Sequence, residues 1–422
     1  DMDTQILLGQ LGPLLHSGKA KTALVVGLGS GVTVGSLASH PELERIDVVE
    51  ISPAVVEAAR RFSYINGNAL DDPRVHIHVD DARTFMLLQG LRYDVIVSEP
   101  SNPWVAGVAG LFTREFFRLA KDHLNHDGVF VQWMHLYEVE TGLVQLVMRT
   151  VRDTFPYGTS WLGGWDLIMV SGAEPVTPDP SRLAERLAEP KVKVDLARMH
   201  VDGVAPLLSL QVHSSDGQLA FAGPGTINTE DKNDLEYRAP IAFFLRLPAV
   251  DVHDERRAAD SSKLAITKYL GTHPLVADEA AAVYAAQLSA GSQDDPLVRA
   301  AAEHWFGVAP DDPRARRALG FAASAQRDVD TAKRMLGPFV SQPEASADSE
   351  LVAYFLDAVA EEQKQRAAPW NPMPEFARQL AAEALIRAPN DVRLRGAAGR
   401  LCWGASLEKC LPEAVRTAKS SE

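Results

Sequence analysis

The residues best placed to do chemistry lie in SEPSNPW, residues 98–104. The stretch follows YDVIV, an apolar run of strand type, and offers one carboxylate, Glu99, and one amide, Asn102, in a loop stiffened by Pro100 and Pro103. A carboxylate there can take a proton from an ammonium group or hold a cation. A side-chain amide can accept an N–H through its carbonyl but brings no charge. Glu99, next to a proline, can equally do no more than cap the following turn. Trp104 follows at once, and His135, Tyr137 and Glu138 stand at or beyond the end of a later apolar run. Trp104 can wall a pocket and stack on a cationic or planar acceptor, or pack under the loop. His135 can serve as a base near neutral pH, or be an ordinary satisfied strand-end group.

A second set of residues points to a nucleotide-type ligand. In GLGSG, residues 27–31, glycines after an apolar run let the backbone turn sharply and approach a ligand closely. Glu50, followed by Ile51, ends a second run 19 residues after Gly31, where an acid accepts hydrogen bonds from ribose hydroxyls. Asp81, followed by Ala82, ends a third, where an acid can take the exocyclic amine of adenine. Either acid alone reads as readily as a strand-end carboxylate facing water. The trio in register points to an adenosine-type ligand. No Lys-Ser/Thr follows the glycine turn, which excludes a P-loop nucleotide.

These positions need a frame that brings strand ends together. Strand-like runs at TALVV, RIDVVEI (45–51), VHIHVDD (75–81), YDVIVSE (93–99) and DGVFVQWMH (127–135) alternate with helical patterns, including SPAVVEAARRF, ARTFMLLQ, LFTREFFRLAKDHL (111–124) and 138–153. Ser52 and Pro53 open one of these helices as cap and first residue. GTSWLGGWDLIMVSG then carries two short apolar runs around Gly163-Gly164, a hairpin signal. Five strand–helix alternations closed by a hairpin predict a Rossmann-like, methyltransferase-type doubly wound sheet, mostly parallel with a terminal antiparallel hairpin. The closing hairpin makes NAD a poor second choice for the ligand. Residues 5–16 predict a short apolar helix ahead of the sheet. Residues 175–250 are mixed, and GPGTINTEDKNDLEYRAP (223–240) is dense in turn formers and acids. Its Asp231, Asp234 and Glu236 either line a cationic site or form a solvated loop.

From about residue 260 the chain is alanine-rich and helical. Leu319-Gly320, Ala332 and Pro343, and again Ala377, Ala384 and Pro389, fall near tetratricopeptide spacing. The expected domains are therefore 1–250, with a core over 20–172, and an all-α, TPR-like 251–422 that binds a protein or acts as a passive cap.

Bulk properties narrow the function classes. The formal charge of −14 argues against binding nucleic acid by phosphate neutralisation and suits a cationic substrate. Cys402 and Cys410 form no CxxC or Cys/His cluster, so neither a metal site nor a secreted disulfide framework is expected. No run of ~18 apolar residues predicts a membrane span. The start at Asp1, without methionine, suggests a piece of a longer polypeptide.

Taken as an ordered set, GLGSGVT, VVEISPAVVEAAR, DDART, YDVIVSEPSNPW and LFTREFF resemble the spermidine synthase (polyamine aminopropyltransferase) family, and most of all its bacterial members fused to membrane segments. NTEDKNDLEYRAP resembles a segment that those fused relatives carry behind the Rossmann-like core. The resemblance covers roughly residues 1–245. It implies that Gly27, Gly29 and Gly31 cradle the methionine-derived part of S-adenosylmethionine or its decarboxylated form. It further implies that Glu50 holds the ribose, that Asp81 with Ala82 holds the adenine, and that Gln132 lies near the active site. The family's catalytic loop, Asp-x-x-Asp-Pro, falls on Glu99 to Pro103, with Glu99 and Asn102 at the two aspartate positions. Ser30 stands where the synthases have an aspartate that holds the aminopropyl ammonium, and their small N-terminal β-domain has no counterpart.

Three functions follow as expectations. The first is aminopropyl transfer from decarboxylated S-adenosylmethionine to a small cationic amine, with Glu99 and Asn102 catalytic and Trp104, Gln132, His135 and Tyr137 around the acceptor. The second is methyl transfer from S-adenosylmethionine itself. The third is a non-catalytic nucleoside-binding scaffold whose helical tail recruits a protein. The start at Asp1 and the family resemblance suggest a cytoplasmic setting as part of a membrane-anchored parent, and a homodimer is left open.

Overall fold

A computed structural model describes residues 2–247, 261–365, 374–402 and 407–411. The chain divides into one compact unit up to Pro274 and a second from Leu275 onward. The boundary expected at residue 250 lies outside the described residues.

The apolar runs form one eight-stranded sheet. Its strands are β1 (Thr22–Val26), β2 (Arg45–Glu50), β3 (Val75–Val79), β4 (Tyr93–Ser98), β5 (Leu124–His135), β6 (Tyr157–Gly163), β7 (Asp166–Gly172) and β8 (Gln211–His213), in the order β3-β2-β1-β4-β5-β7-β6-β8. The first five pair in parallel, and β7 runs antiparallel to both β5 and β6. Central strands are buried on both faces, which is why TALVV and YDVIVS show no polar alternation. At the open edge, β3 alternates as VHIHV and is only partly buried.

This is the mostly parallel, doubly wound sheet with a terminal hairpin that the sequence predicts. The order reverses between β1 and β4, so the carboxyl ends of β1, β2 and β4 open on one crevice. The short eighth strand was not expected. It adds to β6 from the mixed region, whose other pieces are short helices running from Pro180–Leu187 to Asp234–Leu245.

Two local features shape the site. Helix α1 (Met2–Leu15) is buried on nearly all sides. It approaches its neighbours closely: a Cβ at Gly9 would lie 2.5 Å from the Thr33 carbonyl, and one at Gly12 2.4 Å from a Val95 methyl. The helix is therefore fixed against the sheet, with its polar first turn beside the crevice. The helix predicted over 111–124 instead begins at Arg114. The Thr113 hydroxyl caps it by accepting from the Phe116 N–H, so residues 108–112 are released as a short 3₁₀ turn on the crevice rim.

The second unit is all helical where described. Helices 313–325 and 329–340 pack face to face, and a Cβ at Gly320 would fall 2.4 Å from a Leu336 methyl. Ala332, Ala377 and Ala384 are fully buried or nearly so. A disulfide joins Cys402 to Cys410, a single bridge that the sequence reading did not anticipate.

Candidate active site

A cavity of about 870 Å³ opens at the carboxyl ends of β1, β2 and β4. Its first wall is the turn after β1. Gly27 has φ +91°, and a Cβ there would stand 2.4 Å from the Glu99 carbonyl oxygen, so the β1 and β4 turns meet through a position only glycine fills. Gly29, at φ +52°, also lines the cavity. Gly31 does not, for its α-carbon faces Asn66 and Leu70. Ser30 is turned away as well, its hydroxyl donating to Gln5 Oε1 at 2.7 Å.

Glu50 lies on the floor and is 8% exposed. Its Oε2 accepts from the Leu28 N–H at 3.0 Å and its Oε1 from the Ser52 N–H at 2.8 Å. Each oxygen keeps a further lone pair, so the group can still accept from a diol. Ile51 beside it is exposed and apolar. Asp81 accepts from the Thr84 N–H at 2.9 Å and caps helix α5 (Ala82–Gln89). Asp80, Ala82 and Arg83 line the same end.

The other end is acidic and is built by distant elements. Glu99 Oε2 accepts from the Thr33 hydroxyl at 2.5 Å, and its Oε1 from Gln5 Nε2 at 3.0 Å. Burial pushes its pKa up to about 7; the two hydrogen bonds oppose the shift, and the charge of Asp166 adds to it. Asp166 opens β7, lines the cavity and is 5% exposed. Its Oδ2 is 2.7 Å from the Thr4 hydroxyl, which also lies 2.8 Å from the Gly163 carbonyl. Burial raises its pKa to about 6 against the pull of Thr4 and the Trp133 indole.

The expected site residues thus separate into two groups. Gly27, Gly29, Glu50, Ile51, Asp81, Ala82, Glu99, Asn102 and Tyr137 share the cavity, and Asn102 Nδ2 donates to the Tyr137 hydroxyl at 3.1 Å. Ser30, Gly31, Trp104, Gln132 and His135 lie behind its walls. Trp104 packs on the core, with its ring 4.8 Å from Phe243 and edge-on to His135 at 4.7 Å. Gln132 is fully buried and donates to the Trp133 carbonyl. His135 is also fully buried, neither ring nitrogen has a hydrogen-bond partner, and desolvation holds its pKa down at about 3. That environment keeps the imidazole neutral and unsuited to the base role considered for it.

The acidic 228–236 stretch does not line the cavity. It straps the rim from outside: Asn228 donates to the Phe112 carbonyl, Glu236 accepts from the Gly107 N–H at 3.1 Å, and Glu230 pairs with Arg83. Thr4, Gln5, Trp133 and Asp166 also line the cavity, and no reading of the sequence alone places them there. The signals were small: two polar residues opening an apolar helix, and one acid inside the apolar hairpin WLGGWDLIMV.

Among known proteins, the family model of the spermine/spermidine synthase domain matches residues 5–162. The polyamine aminopropyltransferase of Clostridium perfringens is 33% identical over 146 residues, 34% of this chain and 51% of that one. The polyamine aminopropyltransferase of Methanocaldococcus jannaschii is 28% identical over 191 residues, covering 43% and 65%. The chain therefore spans about half to two thirds of the length of these curated relatives. The crystal structure of spermidine synthase from Thermotoga maritima aligns over 58% of this chain and 75% of that chain, with 21% identity and a TM-score of 0.39. Residues 5–162, with their glycine turn, strand-end acids and SEPSNPW loop, are thus similar to a spermine/spermidine synthase domain.

Proposed function

We propose that this protein is an aminopropyltransferase acting on decarboxylated S-adenosylmethionine and a small cationic amine. The observation that carries the proposal is the position of Glu99, a carboxylate held near neutral pKa in the same cavity as Glu50 and Asp81. Glu50 would take the ribose hydroxyls and Asp81 with Ala82 the adenine edge, and Ile51 would cover the ring.

An alkylammonium must lose a proton before its nitrogen can attack. A base with pKa near the operating pH is the most effective acceptor of that proton. Glu99 would take it while Gln5 and Thr33 fix the carboxylate's direction. The neutral nitrogen then attacks the methylene carbon next to the sulfonium, the carbon–sulfur bond breaks, and a thioether leaves with the electron pair. Asn102, positioned by Tyr137, would accept an N–H from the amine.

The donor's form follows from charge. Intact S-adenosylmethionine brings a carboxylate, which needs a cation or free amides. Among the described lining residues the cation is Arg83, which is paired with Glu230 and sits beside Asp81. The opposite end offers Glu99 and Asp166, which repel a carboxylate and attract an ammonium. This favours the decarboxylated donor over the methyltransferase reading. The test is to incubate the protein with decarboxylated S-adenosylmethionine and a short diamine and analyse the products by mass spectrometry. A diamine heavier by one aminopropyl unit, together with methylthioadenosine, supports the proposal. A methylated amine formed from S-adenosylmethionine would favour the second reading.

The helical unit we read as a TPR-like array that recruits a protein, on the strength of its close helix pair at Gly320 and its buried alanines. A cytoplasmic location in a membrane-anchored parent rests on the family resemblance. No helix among the described residues is long and apolar enough to cross a membrane. Reading the full open reading frame tests the anchor, and sedimentation tests whether a homodimer forms.

A further inference from the structure

Loop 98–104 carries one acid where an amine with two cationic ends calls for two. Asn102, the second polar residue of the loop, cannot supply charge. A second carboxylate nevertheless faces the same end of the cavity from another part of the fold. Asp166 lies outside the residues matched by the family model, at the start of the strand that returns from the Gly163-Gly164 turn. Its Oδ2 is held by Thr4. Its Oδ1 is buried and accepts no hydrogen bond of ordinary geometry, with the Trp133 indole as the neighbouring donor group.

A buried carboxylate oxygen without a donor is costly, and a ligand that donates to it recovers that cost. Nothing in the hairpin's own packing calls for an acid at this position: Leu167, Ile168, Met169 and Val170, which follow it, are fully buried and apolar. Thr4 completes the arrangement, because its single hydroxyl hydrogen can serve Asp166 or the Gly163 carbonyl but not both at once.

We infer that Asp166 is the second acid of the acceptor site, a carboxylate that with Glu99 receives a primary alkylammonium at the end of the cavity away from Glu50. The inference rests on the transferase reading for the identity of the reaction, but not for the binding of the cation. Asp166 plays the anchoring part that Asn102 cannot, while its charge keeps the proton affinity of Glu99 high, in keeping with the direction in which each pKa is moved. Tyr137, on the same wall, feels the same charge. The donor's own aminopropyl arm carries the same kind of ammonium, and the experiment separates it from the acceptor amine.

The experiment uses the whole chain and the variants Asp166→Asn and Asp166→Glu. A short diamine is titrated calorimetrically into protein saturated with methylthioadenosine, which has no aminopropyl arm. Asp166→Asn should weaken diamine binding about ten- to a hundredfold, leave methylthioadenosine binding within about twofold, and shift the pH dependence of turnover to lower pH. Asp166→Glu should recover part of the diamine affinity. If Asp166→Asn instead weakens only decarboxylated S-adenosylmethionine relative to methylthioadenosine, the cation held is the donor's arm, and the assignment to the acceptor is overturned. Unchanged affinity for both cations overturns the inference altogether. If the wild-type chain transfers no aminopropyl group but diamine binding still depends on Asp166, the transferase reading fails and the ammonium site stands. Asparagine retains an oxygen for the Thr4 hydroxyl, and a thermal melt of each variant checks that the fold is kept.

Discussion

The two ends of the cavity use carboxylates in opposite ways. At one end, Glu50 receives backbone N–H groups on both oxygens, from residues 22 positions before it and two after it, and Asp81 caps the helix that follows it. At the other, Glu99 and Asp166 are held by side chains of α1 and α2 (Val32–Ala38), 66 to 162 residues away in sequence, and burial raises both toward neutral pKa. Acids held by backbone amides are ready-made acceptors of hydroxyl and amine hydrogens. Acids buried and held by neutral side chains are poised to exchange a proton or to take a cation. In the proposed function the first end binds and the second reacts.

The largest expected effect separates the two ends by mutation. Glu99→Gln should lower turnover about 10²–10³-fold, with methylthioadenosine affinity nearly unchanged. Glu50→Gln should do the reverse, weakening methylthioadenosine about tenfold or more while the pH of half-maximal turnover stays in place. Isothermal titration and a pH–rate profile measure both. If the two variants behave alike, the division of labour is wrong.

A smaller effect concerns stability. Glu99 and Asp166 have folded-state pKa values above those of unfolded carboxylates, so the native state binds more protons than the unfolded chain between about pH 4 and 7. Their contribution is therefore fully present below the unfolded carboxylate pKa and is lost as pH rises through about 7. Chemical denaturation should give a native state less stable at about pH 8 than at about pH 5, by on the order of 2 kcal/mol after allowing for partial solvent access. The double variant Glu99→Gln/Asp166→Asn should flatten this slope. A slope of opposite sign would place both acids in an ionised, paired state at low pH.

The same contrast explains what could be read from the residues alone. Glycine turns, strand-end acids and the closing hairpin are local signals, because a parallel sheet must bury continuous apolar runs and end them at fixed places. The mostly parallel sheet, its closing hairpin and the convergence of Gly27, Glu50 and Asp81 on one cavity followed from them. Gln5, Thr4 and Asp166 have no such local signature, since their role is created when α1 and the β7 turn meet. Trp104 and His135 erred the other way. Both sit in sequence near the strand ends that line the cavity, but Trp104 finds an apolar partner in Phe243, and His135 is sealed beneath it. The short β8 escaped notice because three residues carry no periodicity.

The central claim is that the acidic end selects a donor carrying an ammonium and no carboxylate. Calorimetric titration of the protein with decarboxylated and intact S-adenosylmethionine at neutral pH tests it most directly. The charge arrangement predicts that the decarboxylated form binds at least about tenfold more tightly. Equal affinity for the two forms, or tighter binding of the intact form, would contradict it.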